Sequence, residues 1–427
     1  MLLDRKTAPK IHDAIEFDFI LPPVNTYKLD NGLPLYWLRA GVQDVVEVDW
    51  AFPAGQWYEQ KQGVAQAVGN LLKNGTSKRT AQQINEAFEF YGATLKVRVG
   101  DDHAIVSLYC LTKHLPHLLP IVHEVLTDSV FPQEEIDIYK QNTIQRLLVN
   151  LRECEFVANQ KIDALLFGES HPYGRYTRQD SIEALTREDL SEFYKRSYNL
   201  SGAKIFMAGN IGEQETKWVN EIFGAAEISQ TVAGELSFVL QTAEQRRQHF
   251  MNDENGVQGA IRIGRLYPNR HHPDFAPMVV VNTLFGGYFG SRLMSNIRED
   301  KGFTYGIYSS ASSMMHGGSL TVHTEVGRGV IEEAVKEIYH EMDIMCNERA
   351  GEDELLLVKN YLLGNLLGDL DGPFHIMQRW RTLILNGLDI NHFNRNVEIY
   401  KSITAAEVQT LAQKYLDKNS FHEVVVI

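Results

Sequence analysis

Val46, Val48, Trp50 and Phe52 alternate with polar or small residues, the period of a β-strand with one buried face. Ahead of them, residues 27–37 carry Asn31-Gly32 between two apolar-rich runs, a pairing that favours a hairpin because both residues tolerate positive φ. Residues 95–99 and 104–111 read as a second pair of strands, and residues 203–208 as a last strand of small and apolar residues. Between these runs the period lengthens to that of helices. One helix is expected from about Gly63 towards Thr76. The next opens on a capping box, Thr80 with Gln83, and places Ile84, Ala87, Phe88 and Tyr91 on one side. A third covers residues 117–128, a long helical periodicity fills 132–168, and Thr186 opens a helix through Ser197. Pro9, Pro22 and Pro23 punctuate an N-terminal arm of residues 1–24. The predicted order is strands first, helices next, then one strand returning to the sheet.

Residues 223–250 are richer in Ala, Gln, Ser, Thr and Glu than their surroundings and have the composition of a linker. Beyond them the landmarks recur in the same order. Gln133-Glu-Glu-Ile136 is matched by Gly351-Glu-Asp-Glu-Leu355, and the capping box at Thr186 by Thr404-Ala-Ala-Glu-Val408. Phe90-Tyr-Gly-Ala-Thr94, before a strand, is matched by Phe303-Thr-Tyr-Gly-Ile307, and residues 423–427 supply a terminal strand. This repetition predicts a duplicated α/β (α+β) architecture of two homologous half-domains, each a mostly antiparallel sheet packed against helices. The expected division is residues 1–222, a linker at 223–250, and residues 251–427.

Composition narrows the classes of function. A chain of 427 residues exceeds one ordinary core, and its apolar (44%) and charged (22%) contents are those of a folded protein. The net charge of -14 argues against a phosphate-binding surface, so no nucleic-acid partner is expected. Met1-Leu-Leu-Asp-Arg-Lys6 has no continuous apolar run of the kind a secretory signal needs, and no stretch is apolar for long enough to span a bilayer. Cys110, Cys154 and Cys346 are odd in number and irregularly spaced, which fits a reducing compartment and a cytoplasmic location.

The stretch at 63–76 looks like a metal-binding helix stripped of its chemistry. An inverted zinc motif, H-x-x-E-H, puts two imidazoles four residues apart on one helical face with a carboxylate between them to take a proton from metal-bound water. The corresponding positions here are Gln66, Gly69 and Asn70. A carboxamide is a poor zinc ligand and glycine offers no base; Gly69 also costs the helix about 1 kcal/mol relative to alanine, and it admits close packing by a neighbour. Other candidates are weaker. Gly286, Gly287 and Gly290 are not followed by Gly-Lys-Ser/Thr, so they read as a mobile loop or a close helix contact rather than a phosphate loop. His114 and His117 flank Pro116 near a helix start, His271-His272 adjoins Pro273 and Asp274 in a loop and cap, and His171 belongs to a His-Pro-Tyr-Gly turn.

Taken together, the Asn31-Gly32 hairpin, the 63–76 helix, Leu166-Phe-Gly-Glu-Ser-His-Pro-Tyr-Gly174, Phe285-Gly-Gly-Tyr-Phe-Gly-Ser-Arg-Leu293 and Ile297-Arg-Glu-Asp-Lys-Gly-Phe-Thr-Tyr305 resemble the pitrilysin-type (inverzincin) zinc metallopeptidases, in the processing-peptidase branch. In active members a later helix of the N-terminal half supplies a glutamate as third zinc ligand. The corresponding stretch, Gln141-Asn-Thr-Ile-Gln-Arg-Leu-Leu-Val-Asn-Leu-Arg152, has no acidic residue, and only a slipped register would bring in Glu153 or Glu155. The resemblance also implies roles for Arg298 and Tyr305, spaced as the pair that holds the substrate backbone and stabilises the oxyanion in active members. By themselves, Arg298 reads as a solvated helix end and Tyr305 as a strand residue filling the core; their spacing with Gly302 and the upstream glycines favours the functional reading. The expectation is a non-catalytic subunit with no metal or cofactor of its own. A zinc-bearing homologous partner would carry the metal, and an extended peptide would add as a strand to a sheet edge. The alternatives are a structural subunit like the core proteins of respiratory complexes that share this fold, or a peptide-binding homodimer.

Overall fold

The computed structural model describes residues 12–226 and 236–427 of the chain. The first six residues, read above for a secretory signal, and the rest of the 1–24 arm up to residue 11 lie outside the described residues. The predicted hairpin forms from β1 (Asn25–Lys28) and β2 (Pro34–Arg39), which pair from Asn25 with Trp37 to Lys28 with Pro34. Its connection is longer than a two-residue turn: the Leu29 amide donates to the Leu33 carbonyl, and Gly32 sits at φ +94° inside the loop. The first half continues with β3 (Val45–Phe52), α1 (Val64–Leu71), α2 (Ala81–Phe90), β4 (Thr94–Val99), β5 (Ala104–Leu111) and α3 (Leu115–Thr127). It then runs through α4 (Gln133–Asn150), α5 (Cys154–Phe167), α6 (Gln179–Glu183), α7 (Arg187–Ser197), β6 (Lys204–Gly209) and α8 (Glu213–Val219). The second half holds β7 (Arg247–Phe250), β8 (Gln258–Leu266), α9 (Phe275–Asn282), β9 (Ile307–Ser313), β10 (Gly318–Gly327), α10 (Ile331–Asn347), α11 (Glu352–Gly368), α12 (Pro373–Leu385), α13 (Ile390–Ser402), α14 (Ala405–Tyr415) and β11 (His422–Val426).

The two sheets share one five-stranded topology, to which the first adds β1 at its edge. The first has the order β1-β2-β6-β3-β5-β4 and the second β7-β11-β8-β10-β9. In both, the strand that returns at the end of the half lies parallel to one neighbour (β2 with β6, β7 with β11) and antiparallel to the other (β3 with β6, β8 with β11). Within the stretch of linker-like composition, Phe223 is fully buried in the first core and Arg247–Phe250 forms a strand of the second sheet. Residues 227–235 lie outside the described residues.

Two expectations need correction. The periodicity over 132–168 belongs to two helices, because the chain leaves α4 at Asn150 and re-enters helix at Cys154. The β3 strand is buried on both faces: Val46, Val48, Trp50 and Phe52 join the core under α1 and α3, whereas Ala51 joins Leu38, Phe206 and Ala208 against Ile376, Met377 and Leu383 of α12. The second cover comes from the other half of the chain. In return, Ala158, Ile162 and Leu166 of α5 pack on Ala260, Val424 and Val426 of the second sheet. Each half thus lends a helix to the other.

Candidate functional site

Helix α1 begins where Gly63 turns the chain at φ +84°, a left-handed conformation that glycine adopts without a Cβ penalty. The buried Glu59 carboxylate accepts from the amides of Gly63 (3.2 Å) and Ala65 (2.9 Å) and pairs with Arg175 at 2.9 Å, anchoring the first turn. Burial raises its pKa, with Arg175 and the two amides opposing. Gln66 and Asn70 then project on the face of α1 that looks towards α4. Gln66 Nε2 donates to the Val99 carbonyl of β4 at 3.1 Å, and Asn70 Nδ2 donates to the Gln66 carbonyl at 2.7 Å. Between them Gly69 lies flat against the sheet. A Cβ there would come within 2.2 Å of Val99 Cγ2 and 3.6 Å of the buried Tyr198 hydroxyl. Valine occupies the space that a longer side chain at 69 would need.

Gln66 and Asn70 line an open cleft of about 210 Å³, closed on the far side by Tyr139, Thr143, Arg146 and Asn150 of α4. The donor set does not fit zinc. The lining offers carboxamides, hydroxyls and a guanidinium, but no imidazole, thiolate or carboxylate. Neither Glu153 nor Glu155 reaches the cleft; Glu155 instead binds the buried Arg262 of β8 at 3.0 Å. Among the described residues no group of three His, Cys, Asp or Glu side chains could hold a metal ion. Of the histidines singled out in the sequence, His114 and His117 lie against the Tyr91 ring, His171 accepts from the Tyr173 amide, His272 accepts from that of Asp274, and His271 is exposed.

In the second half, α9 runs into a π-helical turn, Thr283–Gly287, and a second π-helical segment, Met294–Asp300, carries Arg298. Gly286 is required by packing, since a Cβ would fall 2.6 Å from Ser309 Oγ and 2.8 Å from Leu293 Cδ1. At Gly287 a Cβ would meet Asn282, and at Gly290 the Tyr288 ring. Gly302, at φ +65°, turns the chain back, and Thr304 pins it by donating to the Glu325 carbonyl at 2.6 Å. Arg298 and Tyr305 are thereby brought together, but through the backbone: Arg298 Nε donates to the Tyr305 carbonyl at 3.0 Å, and the guanidinium lies 4.5 Å from the Phe289 ring centroid. The Tyr305 side chain does not fill the core. It is 94% exposed, next to the outermost strand β9, with Phe289 and Tyr308 also exposed.

Three features of these sites escape a reading of the sequence. Arg146 sits among helical residues with nothing local to mark it, and only the α1/α4 pairing aims it at the cleft. Val99 is one more apolar strand residue until Gly69 is found against it. Nothing local in the sequence marks Arg262 on β8 as fully buried, and α5 from the other half is what covers it.

A sequence profile described as insulinase (peptidase family M16) matches residues 39–168, and one described as the peptidase M16 inactive domain matches residues 184–362. An uncharacterized zinc protease of Rickettsia felis is 25% identical over 358 residues, covering 80% of this chain and 83% of its own. One of Mycobacterium leprae is 24% identical over 363 residues, covering 83% and 80%. Among solved structures, a peptidase M16 inactive domain from Pseudomonas fluorescens shares the fold with a TM-score of 0.83 at 21% identity, over 94% of this chain and 98% of that one. A protease from Helicobacter pylori does so with a TM-score of 0.86 at 15% identity, over 95% and 100%.

Proposed function

Because this chain belongs to the M16 peptidase family, we propose that it is a non-catalytic subunit that completes the substrate site of a zinc-bearing homologue. The observation that carries the proposal is a contrast between the halves. The α1/α4 cleft has donors unsuited to zinc and a valine where a base would stand, whereas Arg298 and Tyr305 are held at an exposed surface by Gly302 and Thr304. A guanidinium and a phenol can both donate to an oxygen that gains negative charge, and neither needs to belong to the chain that carries the metal. The partner brings zinc, its ligands and the base. This chain brings the donor pair and part of the enclosing wall.

Substrate enters extended. Of the edge strands β4 and β9, which end the two sheets on equivalent sides, β4 already uses the Val99 and Leu95 carbonyls to accept from Gln66 and Lys73, while β9 has Tyr305 and Tyr308 exposed alongside it. The second edge is therefore the better template for an added peptide strand. Among the described residues no helix is long and apolar enough to cross a membrane. The unpaired Cys110, Cys154 and Cys346 support a reducing, cytoplasmic setting.

The test mixes the purified chain with a zinc-bearing homologue and follows cleavage of a fluorogenic peptide. The isolated chain is expected to be inactive and the mixture active. Arg298→Ala in the mixture should lower kcat/KM by about 10²-fold, the usual loss for one oxyanion donor. Cleavage by the isolated chain, or full activity of the Arg298→Ala/Tyr305→Phe mixture, would remove the proposal; the second result would favour a scaffolding subunit.

A further inference from the structure

We infer that the α1/α4 cleft, once freed of metal chemistry, is a binding site for the carboxylate of a peptide. The cleft holds about 210 Å³, roughly the space of one amino-acid residue and its hydration, and it is open to solvent. Its electrostatics point one way. Arg146 is the only charged residue in the lining, and no carboxylate faces it, in a chain where Asp and Glu (55) outnumber Lys and Arg (41). Arg146 forms no hydrogen bond or ion pair among the described residues, and its charge is felt by the Tyr139 hydroxyl beside it.

Around that guanidinium the other polar groups can donate. Gln66 and Asn70 each use one amide hydrogen on a backbone carbonyl and keep the second, while the buried Thr143 hydroxyl has the Tyr139 hydroxyl as its neighbour. Asn150 stands one turn beyond Arg146 on the same helix. A carboxylate accepts from several donors at once and pairs bidentately with arginine, so this set suits it better than a cation or a neutral amide. The apolar lining, Leu147, Phe156 and Ile182, would shield the pair from water and strengthen it. The site rests on the cleft alone and does not depend on a catalytic partner.

The carboxylate could come from a peptide C-terminus or from an Asp or Glu side chain, and three hexapeptides carrying an uncharged BODIPY label separate these sources. One is an Ala/Gly peptide with a free C-terminus, one its C-terminal amide, and one the amide with an internal Glu. Fluorescence anisotropy with the isolated chain is expected to show at least one carboxylate peptide binding about tenfold tighter than the neutral amide, with the advantage shrinking as salt is raised. Arg146→Gln should erase that advantage. Asn150→Asp should reverse it by placing a carboxylate in the cleft, and both variants should keep the wild-type circular dichroism and Tm. Equal affinity for all three peptides, or an advantage that survives Arg146→Gln, would overturn the inference. Arg146-dependent binding without complementation of a zinc-bearing homologue would leave this site standing and remove only the subunit role.

Discussion

At Gly69 a single missing Cβ decides how α1 meets the sheet. Replacing glycine by alanine inside a helix ordinarily stabilises by about 1 kcal/mol, because alanine has the better propensity. Here the new methyl would fall 2.2 Å from Val99 Cγ2, and a valine branch has no flexible end to swing away. Gly69→Ala is therefore expected to destabilise by about 1–3 kcal/mol in urea unfolding, the cost of overpacking a well-filled contact. In a Val99→Ala background the same change should be neutral or stabilising, and equal costs in both backgrounds would show that Val99 is not the obstacle. The same geometry bears on any attempt to rebuild the metal motif, since a glutamate at 69 meets Val99 before it reaches the cleft. Tyr305 is the opposite kind of residue. With its side chain 94% exposed, Tyr305→Ala should move stability by less than about 0.5 kcal/mol, as for other surface positions, so any loss of activity in the mixture can be read as function. Arg298→Ala should cost slightly more, because it also releases the Tyr305 carbonyl.

At the scale of elements, what the sequence announces is what neighbours along the chain decide. The capping boxes at Thr80, Thr186 and Thr404 form with Gln83, Asp189 and Glu407 as read, because each needs only residues three apart. The Asn31-Gly32 turn and the β4/β5 pairing are legible for the same reason. Hydrophobic periodicity says that α5 and α12 each have something to bury, but not against which sheet. Both cover the sheet of the other half, and this is why β3 is buried on its second face and why Arg262 is not in solvent. The candidate site divides in the same way: the absent motif is visible at Gln66, Gly69 and Asn70, while Arg146 and Val99 depend on contacts made across the fold. The exchanged α12 also carries a test. Its Arg381 pairs with Asp49 of β3, which is 3% exposed and also accepts from Ser107 Oγ. Arg381→Leu leaves that carboxylate buried without its cation and should cost about 3 kcal/mol in urea unfolding. Two residues earlier, Arg379 pairs with the exposed Asp369, and Arg379→Leu should cost no more than about 1 kcal/mol. Similar losses for both would mean that α12 does not depend on the Asp49 pair for its seat.

For the whole molecule, the exchange of helices places a polar seam where the halves meet. Arg262 of β8, covered by α5, donates to Asn159 and Glu155, and it lies near Asp163 of α5 and His323 of β10. Burial pushes the Asp163 carboxyl up from 3.8 to about 7, with Asp101 adding to the shift and Arg262 opposing it. Burial, helped by Arg262, pushes His323 down from 6.5 to about 4, where its ring stays neutral and meets Thr321 Oγ1 at 2.7 Å. The two shifts have opposite consequences for stability. The folded chain keeps the Asp163 proton that the unfolded chain gives up near pH 3.8, so this contribution is complete below that pH and is lost as pH rises through about 7. The folded chain refuses the His323 proton that the unfolded chain takes up below pH 6.5, so that contribution is complete above 6.5 and is lost as pH falls towards 4. Across pH 4 to 6.5 the slopes oppose each other, each by at most about 1.4 kcal/mol per pH unit, and the wild-type profile is expected to be flatter than that of either variant. Asp163→Asn should leave only the rising limb, gaining stability relative to wild type as pH increases. His323→Gln should leave only the falling one, with its relative advantage at pH 4.5. Thermal unfolding of the three proteins from pH 4.5 to 8 measures this directly. Variants that track the wild type at a constant offset would show that neither group changes its protonation across the seam.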